Sequence, residues 1–300
     1  MAARKGSEAG MGAASDQAAY WNGEAGARWA RHQAILDAAF APLTAALIEA
    51  ASPRPGERVL DIGCGAGESA LQAAARIGAS GRVTAVDVSA PLLAVAAARA
   101  RPAGGAPIAW IEADAARHPF GAGAFDCALS RFGVMFFEES GPAFAHLRGA
   151  LAEKGRLAFL CWRGLPENPW VSVPWAAVRA LLPPEARTLS SGGDEPGPFR
   201  FAASGTLPAL LAEAGFRDIA ERPLDRRLPL GRAADGDTAA AVAAATDFLL
   251  ELGPVAGHLR AQVPEMRAEA RAAIAEALHP HAVGGEAGLG AGCWLVTATR

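Results

Sequence analysis

The sequence predicts a three-layer α/β fold, a mostly parallel sheet with helices on both faces. Three observations predict it. Arg58-Val59-Leu60-Asp61-Ile62 is a short apolar run that breaks at Gly63, Gly65 and Gly67 and resumes as a helix-forming run from Ser69 to Ile77; strand, glycine turn and helix begin a βαβ unit. Strand-like and helix-like stretches then alternate as far as Trp162. The chain has 300 residues, 51% of them hydrophobic, enough for one large α/β domain or a core with a smaller cap.

Taken in order, residues 1–18 are small and polar without periodicity and are expected to be disordered. Tyr20, Trp21 and Trp29 open a helical segment in which Ile35, Ala39, Leu43 and Leu47 share one face. Pro42 is expected to kink that helix or to open a second one. Arg82–Asp87 is the second strand, Ser89 caps the next helix with Pro91 in its first turn, and 107–111 is the third strand. Residues 125–132 form the fourth strand and its exit, 142–151 a helix, and 157–162 the fifth strand after the turn Glu153-Lys154-Gly155-Arg156. Beyond it, 163–170 reads as an exposed loop and the Pro/Gly-rich 183–201 as a mobile lid. A helix at 206–214 ends at Gly215, and a sixth strand at 216–230 is bulged or on an edge because of Pro223. Helices at 238–252 and 263–278 form a small cap before a closing strand at 292–299.

The balance of 28 basic and 31 acidic residues leaves a net charge of −3 and argues against a nucleic-acid partner. Cys64, Cys127, Cys161 and Cys293 lack C-x-x-C spacing and are expected to be reduced, in a cytoplasmic protein. No apolar stretch follows Arg4 and Lys5, so no signal peptide is expected. The Ala-rich run 239–250 is interrupted by Asp247 and too short for a membrane span. No zinc-type ligand cluster is present in the spacing, so no metal is expected.

Two cofactors compete for the glycine turn. A dinucleotide fingerprint fails when counted from Gly63, because its last position is Glu68, and matches only from Gly65, one step removed from the strand. That register leaves Asp61 unexplained, an acid inside a strand that is costly to bury unpaired. Asp87, at the end of the second strand, suits the ribose hydroxyls of any nucleoside ligand.

Asp61-Ile62-Gly63-Cys64-Gly65-Ala66-Gly67 resembles motif I of the class I S-adenosylmethionine (SAM)-dependent methyltransferases. The resemblance covers residues 20–162 and is shared with ubiquinone/menaquinone-biosynthesis and other small-molecule methyltransferases. It implies a Rossmann-like seven-stranded sheet with the last strand antiparallel. It also divides the chain into a methyltransferase domain at 19–300, with lid helices at 19–52, a SAM-binding core at 53–162 and an acceptor and cap region at 163–300. The cofactor implied is SAM. Gly63, Cys64, Gly65 and Gly67 would pack against its methionine part and Asp61 would order the site around its ammonium. Asp87 and Val88 would meet the ribose, and Asp114 with the Ala115 N–H the adenine. Ser130 and Arg131, at the fourth strand's exit, would lie beside the sulfonium, and Trp29 or Trp21 would cover it. Asp126 resembles a structural acid of the family, and Met135 or Phe132 could line the acceptor site.

The implied reaction is methyl transfer to a small organic acceptor, by O-, N- or C-methylation. His118 is the first candidate for a general base and Arg131 for orienting an acidic or carbonyl acceptor, with His32 and His146 behind. The alternatives are an NAD(P)-dependent oxidoreductase and a catalytically silent SAM-binding protein. Oligomeric state stays open between monomer and homodimer.

Overall fold

A computed structural model describes residues 12–189 and 192–300. Helices α1 (Gly12–Asn22), α2 (Glu24–Arg31) and α3 (Gln33–Ala51) precede the sheet. The alternating core follows: β1 (Arg58–Ile62), α4 (Glu68–Ile77), β2 (Arg82–Asp87), α5 (Ala90–Ala98), β3 (Ile108–Glu112), β4 (Phe125–Arg131), α6 (Ser140–Ala150) and β5 (Leu151–Trp162). Then come α7 (Pro169–Val178), α8 (Thr206–Glu213), β6 (Arg217–Arg232), α9 (Thr238–Glu251), α10 (Pro254–Arg260), α11 (Pro264–Leu278), the short β7 (Ala282–Val283) and β8 (Glu286–Thr299).

The strand order is β3-β2-β1-β4-β5-β8-β6, with β7 pairing onto β8 outside that path. Strands β1 to β5 are parallel, and β8 runs antiparallel to both β5 and β6. The expected seven-stranded sheet with an antiparallel last strand is present, with β7 as a small eighth strand. Strand order reverses between β1 and β4, which opens a crevice at their carboxyl ends. The central strands are buried on both faces, as Val59, Leu60 and Ile62 of β1 and Cys127, Ala128 and Leu129 of β4 attest. Asp126 keeps its structural part: it accepts from the Arg58 backbone N–H and, bidentately, from the Arg58 guanidinium, and the guanidinium hydrogen bonds, helped by its charge, hold the carboxyl below the usual range.

Several expectations are corrected. Residues 12–18 belong to α1; only 1–11 of the segment read as disordered lie outside the described residues. Alanine-rich sequence favours helix, and Trp21 anchors α1 edge-on against Trp29 and Phe136. Pro42 does not open a second helix: α3 runs on through it, its buried residues Leu36, Phe40, Leu43 and Leu47 packed in the core. By length and composition α3 could cross a membrane, but half of its apolar window is buried in this fold. Trp170 is buried, not exposed, and opens α7, whose Pro169 and Pro174 obscured the helix in the sequence. The sixth strand does lie on the sheet edge, as Pro223 implied; Pro223 itself stays in register opposite Trp294, and the irregularities fall at 217–220 and 229–231, with Asp218 at φ 48°. The cap gains α10, a short helix that starts at a proline and contains Gly257. In the stretch read as a lid, Leu189, Phe199 and Phe201 are buried.

Candidate active site

A cavity of about 850 Å³ opens at the carboxyl ends of β1, β2, β3 and β4 and extends under the cap. The turn after β1 forms its floor. Gly63 sits at φ 64°, and a Cβ there would lie 2.7 Å from the Gly133 Cα, so two backbones cross where β1 and β4 leave the sheet. Gly65, at φ 53°, has no atom within 4 Å of where a Cβ would stand. Its N–H donates to Asp87 Oδ2 at 2.8 Å, which ties the turn to the end of β2. Cys64 lines the same wall, its thiol pushed well up by burial first and by the nearby Asp61 and Asp87 charges next.

Asp61 does not reach the cavity. It is fully buried beneath the turn, where Ser69 Oγ in the first turn of α4 donates to Oδ2 at 2.7 Å. Its Oδ1 has no partner among the described residues. Burial raises its pKa to about 7, against the lowering effect of the Ser69 hydrogen bond and the Arg131 charge. Gly67 is likewise corrected to a packing role: at φ 88°, its missing Cβ would stand 2.7 Å from the Trp110 ring.

Asp87 faces the cavity with its carboxylate held by the N–H groups of Gly65 and Ser89, at 2.8 and 2.9 Å. Burial raises its pKa, opposed by those hydrogen bonds. The side chain is therefore oriented before any ligand arrives. Val88 lines the same wall, and its carbonyl accepts from Asn22 Nδ2, while Asn22 Oδ1 accepts from the Ala90 N–H. Ser89 Oγ donates to the Trp21 carbonyl. These bonds fasten the α1–α2 corner over the β2 end, and Trp21 and Trp29 line the cavity from above. Asp114 and Ala115 line it at the β3 end, where Asp114 Oδ1 accepts from the Ala116 N–H at 2.9 Å.

The β4 exit supplies the opposite wall. Ser130 is buried outside the cavity lining; its Oγ donates to the Ile62 carbonyl at 2.7 Å and accepts from the Gly133 N–H, so it fixes the exit rather than facing a ligand. Arg131 does face the cavity. It donates to Thr44 Oγ1 at 2.6 Å and lies 3.9 Å from Asp37 Oδ1, with its guanidinium 5.6 Å from the Phe40 ring centre. Asp37 also accepts from Gln33 and pairs with Arg99 at 3.0 Å, and Arg99 pairs with Glu68 at 2.5 Å. Burial lowers the Arg131 pKa, and the Asp37 charge opposes it. Phe132 holds φ 69°, a costly conformation for a bulky residue. It stacks on Trp162 at 4.0 Å between ring centres and, with Phe40, Trp162 and Trp170, forms an aromatic chamber. Met135 also lines the cavity.

The structure thus gathers Gly63, Cys64, Gly65, Asp87, Val88, Asp114, Ala115, Arg131 and Trp29 around one space, and excludes Asp61, Gly67, Ser130 and His118 from its lining. His118 points elsewhere: its ring packs on Phe120 at 4.8 Å and its carbonyl meets His146 Nε2. Among the described residues, His258 of α10 is the histidine that lines the cavity. The sequence reading missed it, together with Gln33, Asp37, Phe40, Arg28 and Arg260, because helical periodicity alone does not say which face meets a site on another element.

Residues 59–155 match a family described as a methyltransferase domain. The ubiquinone/menaquinone biosynthesis C-methyltransferase UbiE of Pseudomonas putida is 31% identical over 178 residues, spanning 56% of this chain and 68% of UbiE. The chain belongs to the methyltransferase family. This methyltransferase is also 29% identical over 214 residues to the nocamycin O-methyltransferase of Saccharothrix syringae, covering 66% of this chain and 74% of that one. It spans about half, 46%, of the length of the first curated relatives it matches. Its fold is shared with the phosphoethanolamine N-methyltransferase 2 of Haemonchus contortus, solved with S-adenosyl-L-methionine, at TM-score 0.54 and 16% identity over 94% of this chain and 59% of the other.

Proposed function

We propose that the chain transfers a methyl group from SAM to a small organic acceptor. The observation that carries this reading is the continuity of one cavity from the glycine turn and two strand-end acids to an aromatic chamber under the cap. A cofactor and an acceptor would therefore meet in one enclosed space.

The residues present suit SAM. The open space over Gly65 admits a ligand against the backbone. Asp87 offers a carboxylate already oriented by two N–H groups to a ribose diol. Asp114 and the Ala115 N–H suit the adenine edge. Asp37 and Arg131, opposite charges on one wall, suit the ammonium and carboxylate of an amino-acid end. Asp61 acts through Ser69 to hold the turn. When bound, SAM supplies an electrophilic methyl on a sulfonium and a neutral thioether leaving group.

The rest of the chemistry is alignment. Phe132, Trp162, Trp170 and Phe40 hold an apolar body, while Trp21 and Trp29 exclude water from above. Alignment and desolvation of this kind lower a barrier by roughly 7–11 kcal/mol. Where the acceptor loses a proton, His258 is placed to take it, for a gain of about 10²–10⁴-fold. The relatives' names support a quinone-like, phenolic or other secondary-metabolite acceptor rather than nucleic acid. The four cysteines, all free and buried, support a cytoplasmic location.

Calorimetric titration with SAM, S-adenosylhomocysteine, NAD and NADP in parallel tests the cofactor. Micromolar binding of the two adenosyl ligands alone is expected. Binding of a nicotinamide ligand alone would replace this reading with the oxidoreductase. Tight SAM binding with no turnover across a panel of phenols, quinols and acids would favour a silent SAM-binding protein.

A further inference from the structure

Two arginines of the cavity have no counterpart in the cofactor subsite. Arg28 comes from α2 and is only 8% exposed, yet it lines the cavity. Among residues 17–189 and 192–300 its side chain has no hydrogen bond and no ion pair. Its nitrogens keep access to the cavity rather than being sealed in the protein, so an anionic ligand there would pair with it directly. Arg260 lines the same cavity from the end of α10; among residues 17–189 and 192–300 it pairs with no carboxylate and donates to the Glu251 carbonyl at 3.5 Å. The two guanidiniums are near enough that Arg28 adds to burial in depressing the Arg260 pKa, while Tyr20 and Glu251 raise it. Glu251 lines the same cavity.

The helix that ends at Arg260 starts beside the aromatic chamber, and Arg28 lines the same cavity. Gly253, at the corner joining α9 to α10, lies against Trp170, such that a Cβ would stand 2.9 Å from its ring. His258 of α10 packs on Trp175 of α7 at 5.0 Å between ring centres. The acids of the cofactor wall are already engaged, Asp37 by Arg99 and Gln33 and Asp87 by backbone N–H groups.

We propose that Arg28 and Arg260 form an anion-binding end of the acceptor pocket, so that the acceptor is an aromatic carboxylate whose ring system occupies the Phe132–Trp162–Trp170 chamber. This inference rests on the methyltransferase reading for the word acceptor, and on geometry alone for the anion. The arginines act as positioning groups: they hold the carboxylate while another part of the ring system meets the methyl donor.

The test uses the full chain and a matched pair of fluorescent probes, 1-hydroxy-2-naphthoate and 1-hydroxy-2-naphthamide, titrated with and without saturating S-adenosylhomocysteine. The wild-type protein is expected to bind the acid about 10–100-fold more tightly than the amide, the range of a charge-assisted hydrogen bond. Arg28→Met and Arg260→Met should each reduce that preference by about tenfold or more, Arg28→Lys should retain part of it, and S-adenosylhomocysteine affinity should stay within about threefold of wild type. Arg260 is exposed, so its variant keeps the test open if Arg28→Met fails to fold. Equal binding of acid and amide, or no binding of either, overturns the proposal. So does loss of S-adenosylhomocysteine binding in Arg28→Met with the acid preference intact in Arg260→Met, which assigns Arg28 to the cofactor. A wild-type protein that binds no adenosyl ligand overturns the cofactor reading instead, and the acid–amide difference without that ligand still decides the anion end.

Discussion

Replacing Asp61 with Asn separates the cost of a buried charge from the hydrogen bond it makes. The Asp61 carboxyl has a pKa of 3.8 in an unperturbed chain and about 7 in the fold, with burial as the main cause. Below pH of about 4 both the folded and unfolded chains hold the proton, and Asp61 carries no penalty. Between about pH 4 and 7 the unfolded chain releases the proton while the folded chain keeps it, so stability falls as pH rises. Above about 7 both are ionised, and the native state carries a constant cost on the order of 4 kcal/mol, at about 1.4 kcal/mol per pH unit between the two pKa values. Asn still accepts from Ser69 and never ionises; its buried NH₂ adds a cost that does not vary with pH. The stability of Asp61→Asn relative to wild type should therefore rise by about 3 kcal/mol between pH 5 and pH 8, or about 4 °C in melting temperature for a chain of this length. Thermal melts of both proteins without ligand, at intervals across that range, measure it directly. A difference that stays flat with pH would refute the reasoning, because Asp61 would then ionise in the fold as readily as in the unfolded chain.

Three further outcomes follow from the same geometry. Asp87→Ala removes the acceptor for the Gly65 and Ser89 N–H groups and should weaken SAM binding by about 1–3 kcal/mol in calorimetry; unchanged affinity would contradict the site. Gly67→Ala meets the Trp110 ring and an unfavourable φ together, and should destabilise by about 2–4 kcal/mol in denaturant unfolding while leaving the cavity walls in place. His118→Ala should keep wild-type turnover once an acceptor is found, since that ring lies outside the cavity lining; a kcat loss above about tenfold would restore it as a base.

The order of strands and helices from β1 to β5 was legible because each element announces itself within a few residues. An apolar run bounded by glycine or proline is a strand, and the turn Gly63–Gly67 needs positive φ values that favour glycine. Asp87 and Asp114 could be found for the same reason: a strand end is a sequence position, and in a parallel sheet the strand ends converge. His118 could not be excluded by that logic, because a loop residue's direction depends on what packs beside it, here Phe120. Helices α7 and α10 were hidden by their prolines and short length.

Local pattern therefore specified the Rossmann-like core, the glycine floor and the acids at the strand ends, since those depend on backbone conformation and periodicity over a few residues. The cap side of the cavity depended on packing between distant segments. Phe40 on α3, Phe132 at the β4 exit, Trp170 on α7 and the pair Arg28 and Arg260 on α2 and α10 share one space. No short-range signal links them. Their meeting follows from the burial of α3 and the cap against the sheet, a sum of many side-chain contacts that becomes definite only when the whole chain has folded.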